Sequence, residues 1–404
     1  MRSVDSLTKQ LGRPPHVCFV APQAFPLLAS RDDVQFVGGA ELQQVVVARE
    51  LAARGYRVSM VGLDFGQPDE VTIDGITVFR AYRPTAGIPV LRFVSPRLTG
   101  IWRCLVRADA DIYYQRTASM LAGVVAAYCR RHGKRSVFAA AGNPDLEPRT
   151  PRIRYARDRW LYGYGLRRVD RILVQNEEQA SLCRVHWHRE PVLVPNCLQS
   201  IPAMPWEPGR NVLWVSTIRR IKRPELFLDL ASRLPNLDFE MIGGPDGGDP
   251  KLFEAIKSRA EGMKNVSFRG FVPLGKIEQE FDRAAVVVNT SESEGFPNAF
   301  LQSWSRGIPT VSFVDAGARH EGRPVGIRVG SNQQMVEVVA QLAASAQMRA
   351  EEGRRCRTYC LQTHSADRVL ATYEQLFADL LNDGPGLRQT ARFGSSSRNS
   401  GSRS

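Results

Sequence analysis

At 404 residues, with 43% hydrophobic and 24% charged side chains, the chain is too long for one ordinary core and fits two soluble domains of typical size. Its net charge of +13 is lopsided: residues 1–200 hold 28 Lys and Arg against 18 Asp and Glu, and residues 201–404 hold 26 against 23. A basic N-terminal half calls for an anionic partner such as phospholipid, a sugar diphosphate or nucleic acid, unless the whole composition is simply arginine-rich.

Seven cysteines (Cys18, Cys104, Cys129, Cys183, Cys197, Cys356 and Cys360) include no Cys-x-x-Cys pair, so neither a disulfide framework nor a zinc spacing is predicted, and a reducing cytoplasm is the simplest home. The opening MRSVDSLTKQLGRPP lacks the apolar run of a signal peptide. The longest apolar stretch, MLAGVVAAYC, is about half of what a bilayer span needs, so an integral membrane protein is not expected.

In chain order, HVCFVAP reads as a buried strand. Gly38-Gly39 then opens a helix in which Leu42, Val45, Ala48, Leu51 and Ala52 recur at three- and four-residue steps. Gly55 is placed to end it, and RVSMVG returns as a strand. ITVFRA, DIYYQR, RSVFAAA, RILVQN and VLVPN are further strands, and this alternation predicts a parallel sheet covered on both faces. IPAMPWEPGRN, with three prolines and a glycine, marks a linker. A second set follows: strands VLWVST, DFEMIGG, NVSFRG, AVVVNT and PTVSF, with helices RPELFLDLASRL, DPKLFEAIKSRAE and GKIEQEFDRA between them. The predicted organisation is an N-terminal extension over 1–15, a doubly wound α/β domain over 16–200, a linker over 201–210, a second such domain over 211–364, a helix over 365–382 and a disordered Gly/Ser/Arg tail over 383–404. Two such domains face each other across a cleft.

Ligands of open parallel sheets sit beyond the carboxyl ends of the strands, near helix N-termini. Three junctions there carry unusual chemistry. Thr217-Ile218-Arg219-Arg220-Ile221-Lys222-Arg223-Pro224 follows VLWVS, and its four cations and the amides of the next helix favour a dianionic group. A solvated charge run is the alternative. GGPDGGDP (243–250) and Gly38-Gly39 let backbone approach a ligand closely, although an ordinary loop explains each as well. In SESEGFPNAFLQSW, Glu294 stands where a buried strand turns into a helix, and Gln302 offers a donor and an acceptor two turns on. A carboxylate accepts hydrogen bonds only, so hydroxyls or amines are its partners. Amides toward phosphate and a carboxylate toward hydroxyls together describe a nucleotide-sugar site, with helix capping by Glu294 as the bland alternative.

Glu294-Gly295-Phe296-Pro297-Asn298, then Phe300-Leu301-Gln302-Ser303-Trp304 and Gly307-Ile308-Pro309-Thr310-Val311, resembles the acid-motif region of family-four retaining glycosyltransferases. Gly38-Gly39-Ala40-Glu41, Val194-Pro195-Asn196 and Lys222-Arg223-Pro224-Glu225 extend the likeness over about residues 16–382. The resemblance implies the GT-B fold: an N-terminal Rossmann-like acceptor domain, a C-terminal Rossmann-like nucleotide-sugar domain, and a last helix that returns to the first. It implies that Glu294 bonds a donor-sugar hydroxyl, that Gly295, Phe296, Pro297 and Asn298 line the sugar and diphosphate, and that Lys222 neutralises the departing diphosphate. Gly38 and Gly39 would let the first domain close on the same group, and Gly243, in the glycine-rich loop, is a further donor-binding candidate.

Two residues depart from the family pattern. Gln302 stands where the family has a second glutamate, and Thr217 where it often has an arginine, so Arg219 is expected to reach the phosphates instead. The histidine that many relatives place near the sugar is missing from Phe138–Asp145, which leaves Asn143 or Asp145 either to face the sugar or to cap the loop.

The expected function is therefore sugar transfer from a nucleotide-diphosphate sugar to an acceptor hydroxyl, with retention implied by the resemblance. No metal and no cofactor are expected, since Lys222 and Arg219 stand in for a metal clamp. Eight arginines between Arg149 and Arg171, around Trp160, Leu161 and Tyr162, suit an anionic membrane surface. They point to a polysaccharide or lipid-linked acceptor and to a peripheral position at the inner face of the membrane; a solvated helix packed on a core is the alternative. A nucleotide-sugar 2-epimerase and a non-catalytic nucleotide-sugar-binding relative remain open. A nucleic-acid partner is not expected, because it leaves the Glu294 region unexplained.

Overall fold

The computed structural model describes residues 4–31, 38–88, 91–150, 153–198, 201, 209–245 and 248–382. Most of the predicted linker and the whole predicted tail lie outside them. Among the described residues sixteen strands are numbered in chain order. The first eight are β1 (His16–Val20), β2 (Arg57–Gly62), β3 (Glu70–Ile73), β4 (Ile76–Arg80), β5 (Ile112–Arg116), β6 (Arg135–Ala139), β7 (Arg171–Val174) and β8 (Val192–Leu193). They form one sheet in the order β3-β4-β2-β1-β5-β6-β7-β8. Every pairing is parallel except the β3–β4 hairpin at the edge. β1 and β5 are buried along their whole length, as strands covered by helices on both faces must be.

The C-terminal lobe repeats the plan with β9 (Asn211–Val215), β10 (Phe239–Ile242), β11 (Val266–Gly270), β12 (Ala284–Asn289), β13 (Thr310–Ser312), β14 (Arg319–His320), β15 (Arg323–Pro324) and β16 (Ile327–Arg328). Its parallel sheet runs β11-β10-β9-β12-β13-β16, and β14 and β15 form a separate small hairpin. In both sheets the order reverses beside the first strand of the lobe, which opens a crevice at the carboxyl ends of the central strands.

Each lobe has its own core. In the first, Val17, Phe19, Val45, Ala48, Leu51 and Met60 pack with Tyr373, Leu376 and Phe377 from the last helix, Ala366–Asn382. That helix lies against the helix Gly39–Ala53, with the Arg54–Asp367 ion pair at 2.5 Å on its rim. In the second lobe Val212, Trp214, Phe227, Met241, Val286 and Val311 form the centre. The helix Ala346–His364 buries Cys356 and Cys360 against Phe300 and Trp304, so the shared helix face of these two thiols serves packing. All seven cysteines are free and buried.

β4 is the strand ITVFRA read from sequence, and β3, its antiparallel partner in a hairpin, is an addition. The hairpin turn is Asp74-Gly75, both at positive φ (50° and 75°), the Asp-Gly pair that a two-residue hairpin turn favours. A short helix, Val4–Leu11, also precedes β1 and buries Leu7.

Candidate active site

The two lobes meet around a cavity of about 610 Å³. Its C-lobe wall is built where β9, β10 and β12 end. After β9 the chain runs through Thr217 and Arg219 into a single 3-10 turn, Arg220–Lys222, and Pro224 opens the helix that follows. This geometry sorts the four cations. Arg220 turns outward to Asp249, at 2.8 Å. Arg223 donates to the carbonyls of Thr290 (2.8 Å) and Ser291 (3.2 Å) and lies over the Phe313 ring, which clamps the loop after β12. Arg219 and Lys222 line the cavity. Two of the four cations thus lie on the cavity wall, and two hold the fold.

Lys222 Nζ meets Glu294 Oε1 at 2.5 Å, with both side chains largely buried. The same carboxylate oxygen accepts from Ser291 Oγ (2.6 Å) and from Asn289 Nδ2 (3.2 Å). Thr290 Oγ1 donates to the Lys222 carbonyl at 2.7 Å and accepts from Trp214 Nε1 at 2.9 Å. The turn carrying the lysine and the loop carrying the glutamate are therefore fixed to each other through buried groups.

Two helix N-termini open onto the cavity: Gly39–Ala53, preceded by Gly38, and Asn298–Ser305, preceded by Pro297. Among the described residues neither N-cap residue supplies a side-chain cap, and the positive helix ends point toward the cavity, with Glu41 in the first turn of the former. Gly243 and Gly295 are required sterically. A Cβ on Gly243 would overlap the Ser216 carbonyl oxygen, and one on Gly295 would overlap the carbonyl oxygen of Ala141 in the other lobe.

Every residue predicted for the donor site lines this one cavity: Gly38, Gly39, Arg219, Lys222, Gly243, Glu294, Gly295, Phe296, Pro297, Asn298 and Gln302. Asn143 and Asp145 do not. The Asp145 side chain is wholly buried and accepts from the Ala141 amide at 2.8 Å, so it caps the loop after β6, and Ala141 takes the place on the wall. Asn143 sits in the 3-10 turn Asn143–Leu146, off the lining.

Sequence reading missed the polar seam between the lobes. Asn196 Oδ1 accepts from Arg116 Nη2 and from Gln175 Nε2, each at 2.8 Å, and Asn196 Nδ2 donates to the Phe296 carbonyl and to Asn298 Oδ1, each at 3.3 Å. Gln43 reaches Asn298 Oδ1 at 3.0 Å, and Asn298 Nδ2 reaches the Gly39 carbonyl at 3.1 Å. Behind the seam His364 donates from Nδ1 to the Asn196 carbonyl (2.8 Å) and packs on the Phe296 ring; burial pushes its imidazole down to about 4. The three residues after β8, Val194-Pro195-Asn196, were visible as a motif, but no local signal separated a hub from a strand end.

Facing Rossmann-like lobes with a shared cleft make the GT-B fold, and the cleft carries a lysine–glutamate pair between two helix N-termini. The comparisons with known proteins agree. Residues 38–197 match the family described as "Glycosyl transferase 4-like domain" and residues 209–345 the family "Glycosyl transferases group 1". Both matched regions are thus glycosyltransferase domains, one in each lobe. It is 27% identical over 127 residues to the O-antigen biosynthesis glycosyltransferase WbnH of Escherichia coli, covering 30% of this chain and 35% of that protein. The chain spans about a third to a half of the length of the curated relatives it matches. Among solved structures, the sucrose-phosphate synthase of Thermosynechococcus elongatus aligns with a TM-score of 0.73 at 17% identity, over 91% of this chain and 99% of that one. HepE of Anabaena, solved with UDP and glucose, aligns at 0.66 and 15% identity over the same shares.

Proposed function

We propose that the chain transfers a sugar from a nucleotide-diphosphate sugar to an acceptor hydroxyl, with retention of configuration and without a metal. The observation that carries this reading is the Lys222–Glu294 contact of 2.5 Å on a cavity bounded by two uncapped helix N-termini. In the transition state the sugar carbon becomes positive while negative charge grows on the departing diphosphate. Lys222, Arg219 and the two helix ends stabilise that charge where the closed cleft keeps water away. Glu294, already accepting from Ser291 and Asn289, is held to receive hydroxyl donors of the sugar. Phe271, Val272 and Ile277 give the cavity an apolar end that suits the nucleotide base.

The acceptor proposed is a lipid-linked or polysaccharide chain in cell-surface assembly, met at an anionic membrane face by the region Arg149–Arg171. Trp160 and Tyr155 are exposed there (65% and 56%), and Arg157 stacks over Phe93. Tyr162, by contrast, is buried in the core and takes no part. No helix among the described residues is long and apolar enough to cross a membrane, so contact would be peripheral. The name of WbnH supports a surface-polysaccharide setting.

A nucleotide-sugar panel, read first by thermal shift and then by release of nucleoside diphosphate, tests the donor reading. Turnover of donor with no transfer to any acceptor and a changed sugar configuration would indicate the epimerase; binding without turnover would indicate the non-catalytic relative. Turnover that survives a chelator meets the metal-free expectation, and NMR of the first-formed anomer decides retention.

A further inference from the structure

The N-lobe wall of the cleft carries a charge that the leaving diphosphate does not need. Arg116 closes β5 and lines the cavity, yet it is only 7% exposed. Among the described residues it has no carboxylate partner. Nη2 donates to Asn196 Oδ1 and Nη1 only distantly to Tyr114 Oη, at 3.5 Å, while Nε has no partner. A guanidinium does not shed its proton, so a buried one calls for a counter-charge, and its fork fits a carboxylate or phosphate.

The next residue carries an independent sign. Thr117 has φ +75°, a region that a β-branched side chain avoids, and its buried hydroxyl has no hydrogen-bond partner among the described residues. The strain is held in place. Gln115 Nε2 donates to the carbonyls of Arg116 (2.6 Å) and Thr117 (2.8 Å), and the Thr117 amide donates to the Ala139 carbonyl at 3.1 Å. Over-determined strain of this kind concentrates at ligand-binding positions.

We propose that Arg116 and Thr117 form a second anion subsite on the N-lobe wall, which takes a phosphate or carboxylate group of a reactant other than the leaving diphosphate. The reactant is either the acceptor or the transferred sugar. The assignment rests on the glycosyl-transfer reading for its setting but not for its test. Lys222 and Arg219 belong to the opposite wall, so the two anion sites are separable by mutation.

The probe is inorganic phosphate, titrated calorimetrically into the full-length chain, Arg116→Gln, Lys222→Ala and the double variant. The expected result is two phosphates on the parent, one on each single variant and none on the double, with at least a tenfold affinity loss at the missing site. Equal binding by Arg116→Gln and the parent would overturn the subsite. An effect of Arg116→Gln with none of Lys222→Ala would keep the subsite and instead sink the proposed donor site. Thr117→Gly guards against misfolding of the arginine variant, since glycine suits φ +75°. It is expected to melt higher than the parent and yet bind phosphate several-fold more weakly; unchanged binding would remove Thr117, and with it the strain argument. Hydrolysis of UDP-glucuronate against UDP-glucose then separates the sources: selective loss of the former in Arg116→Gln puts the acid group on the sugar, and equal rates leave it on the acceptor.

Discussion

Asn196, just beyond the last strand of the first lobe, donates from its side-chain amide to the backbone carbonyl of Phe296 in the second, at 3.3 Å. Its side-chain oxygen accepts from Arg116 and Gln175. Replacing it by alanine leaves the Phe296 carbonyl and two buried donors without this partner, at about 1–3 kcal/mol for each orphaned group. Asn196→Ala is expected to lower the melting temperature and to slow turnover at least tenfold, because the loop Glu294–Asn298 loses its anchor. Melting curves and kcat at saturating donor check it; an unchanged kcat would show that the loop holds itself.

Lys222 is held mainly by its own backbone turn, and Glu294 keeps Ser291 and Asn289 when the lysine is removed. Lys222→Ala should therefore fold normally while losing about 3–4 kcal/mol of transition-state stabilisation, a fall in kcat of several hundredfold. Circular dichroism and nucleoside-diphosphate release read the two halves of this expectation. Turnover within threefold of the parent would contradict it.

Gly295 faces the Ala141 carbonyl across the lobe interface without room for a Cβ. Gly295→Ala should hold the lobes apart, reduce donor turnover strongly and leave each lobe folded. Small-angle scattering is expected to give a larger radius of gyration than for the parent; an identical radius with full activity would refute the contact.

His16 and His364 are both buried, and burial lowers each imidazole to about 4 from an ordinary 6.5. Since the folded state resists protonation, their contribution to stability is complete above pH 6.5 and declines as pH falls toward 4. Between pH 7.5 and 5 each should cost about 2 kcal/mol of stability. Urea unfolding of the parent and of His364→Phe at both pH values checks this, with the variant expected to lose less on acidification. An equal loss would assign the effect to other groups.

All seven thiols are buried, and burial pushes Cys356 and Cys360 up to about 12. The native chain should react with a thiol reagent far more slowly than the urea-unfolded chain, which should expose seven thiols. Rapid labelling of Cys356 and Cys360 in the native state would mean that the helix Ala346–His364 opens readily.

The sequence by itself determined the alternation of strands and helices, because strands buried on both faces must be apolar throughout and helices buried on one face must repeat at 3.6 residues. Val286-Val287-Val288 and the Leu42-Val45-Ala48-Leu51 stripe could be read that way and fold that way. It also placed Arg219, Lys222, Glu294 and Asn298 at strand-to-helix junctions where a parallel sheet presents ligands, and all four line one cavity. Only the tertiary structure decided which cations face the cavity. Arg220 and Arg223 differ from Lys222 by one 3-10 turn, and their partners Asp249 and the carbonyls of Thr290 and Ser291 are distant in sequence. It likewise decided that Asp145 caps a loop, that Arg116 lies buried at the cleft with no counter-charge among the described residues, and that Asn196 ties the lobes. Periodicity records which face a residue buries locally, whereas pairing across the lobe interface joins groups 100 to 259 positions apart and leaves no local pattern.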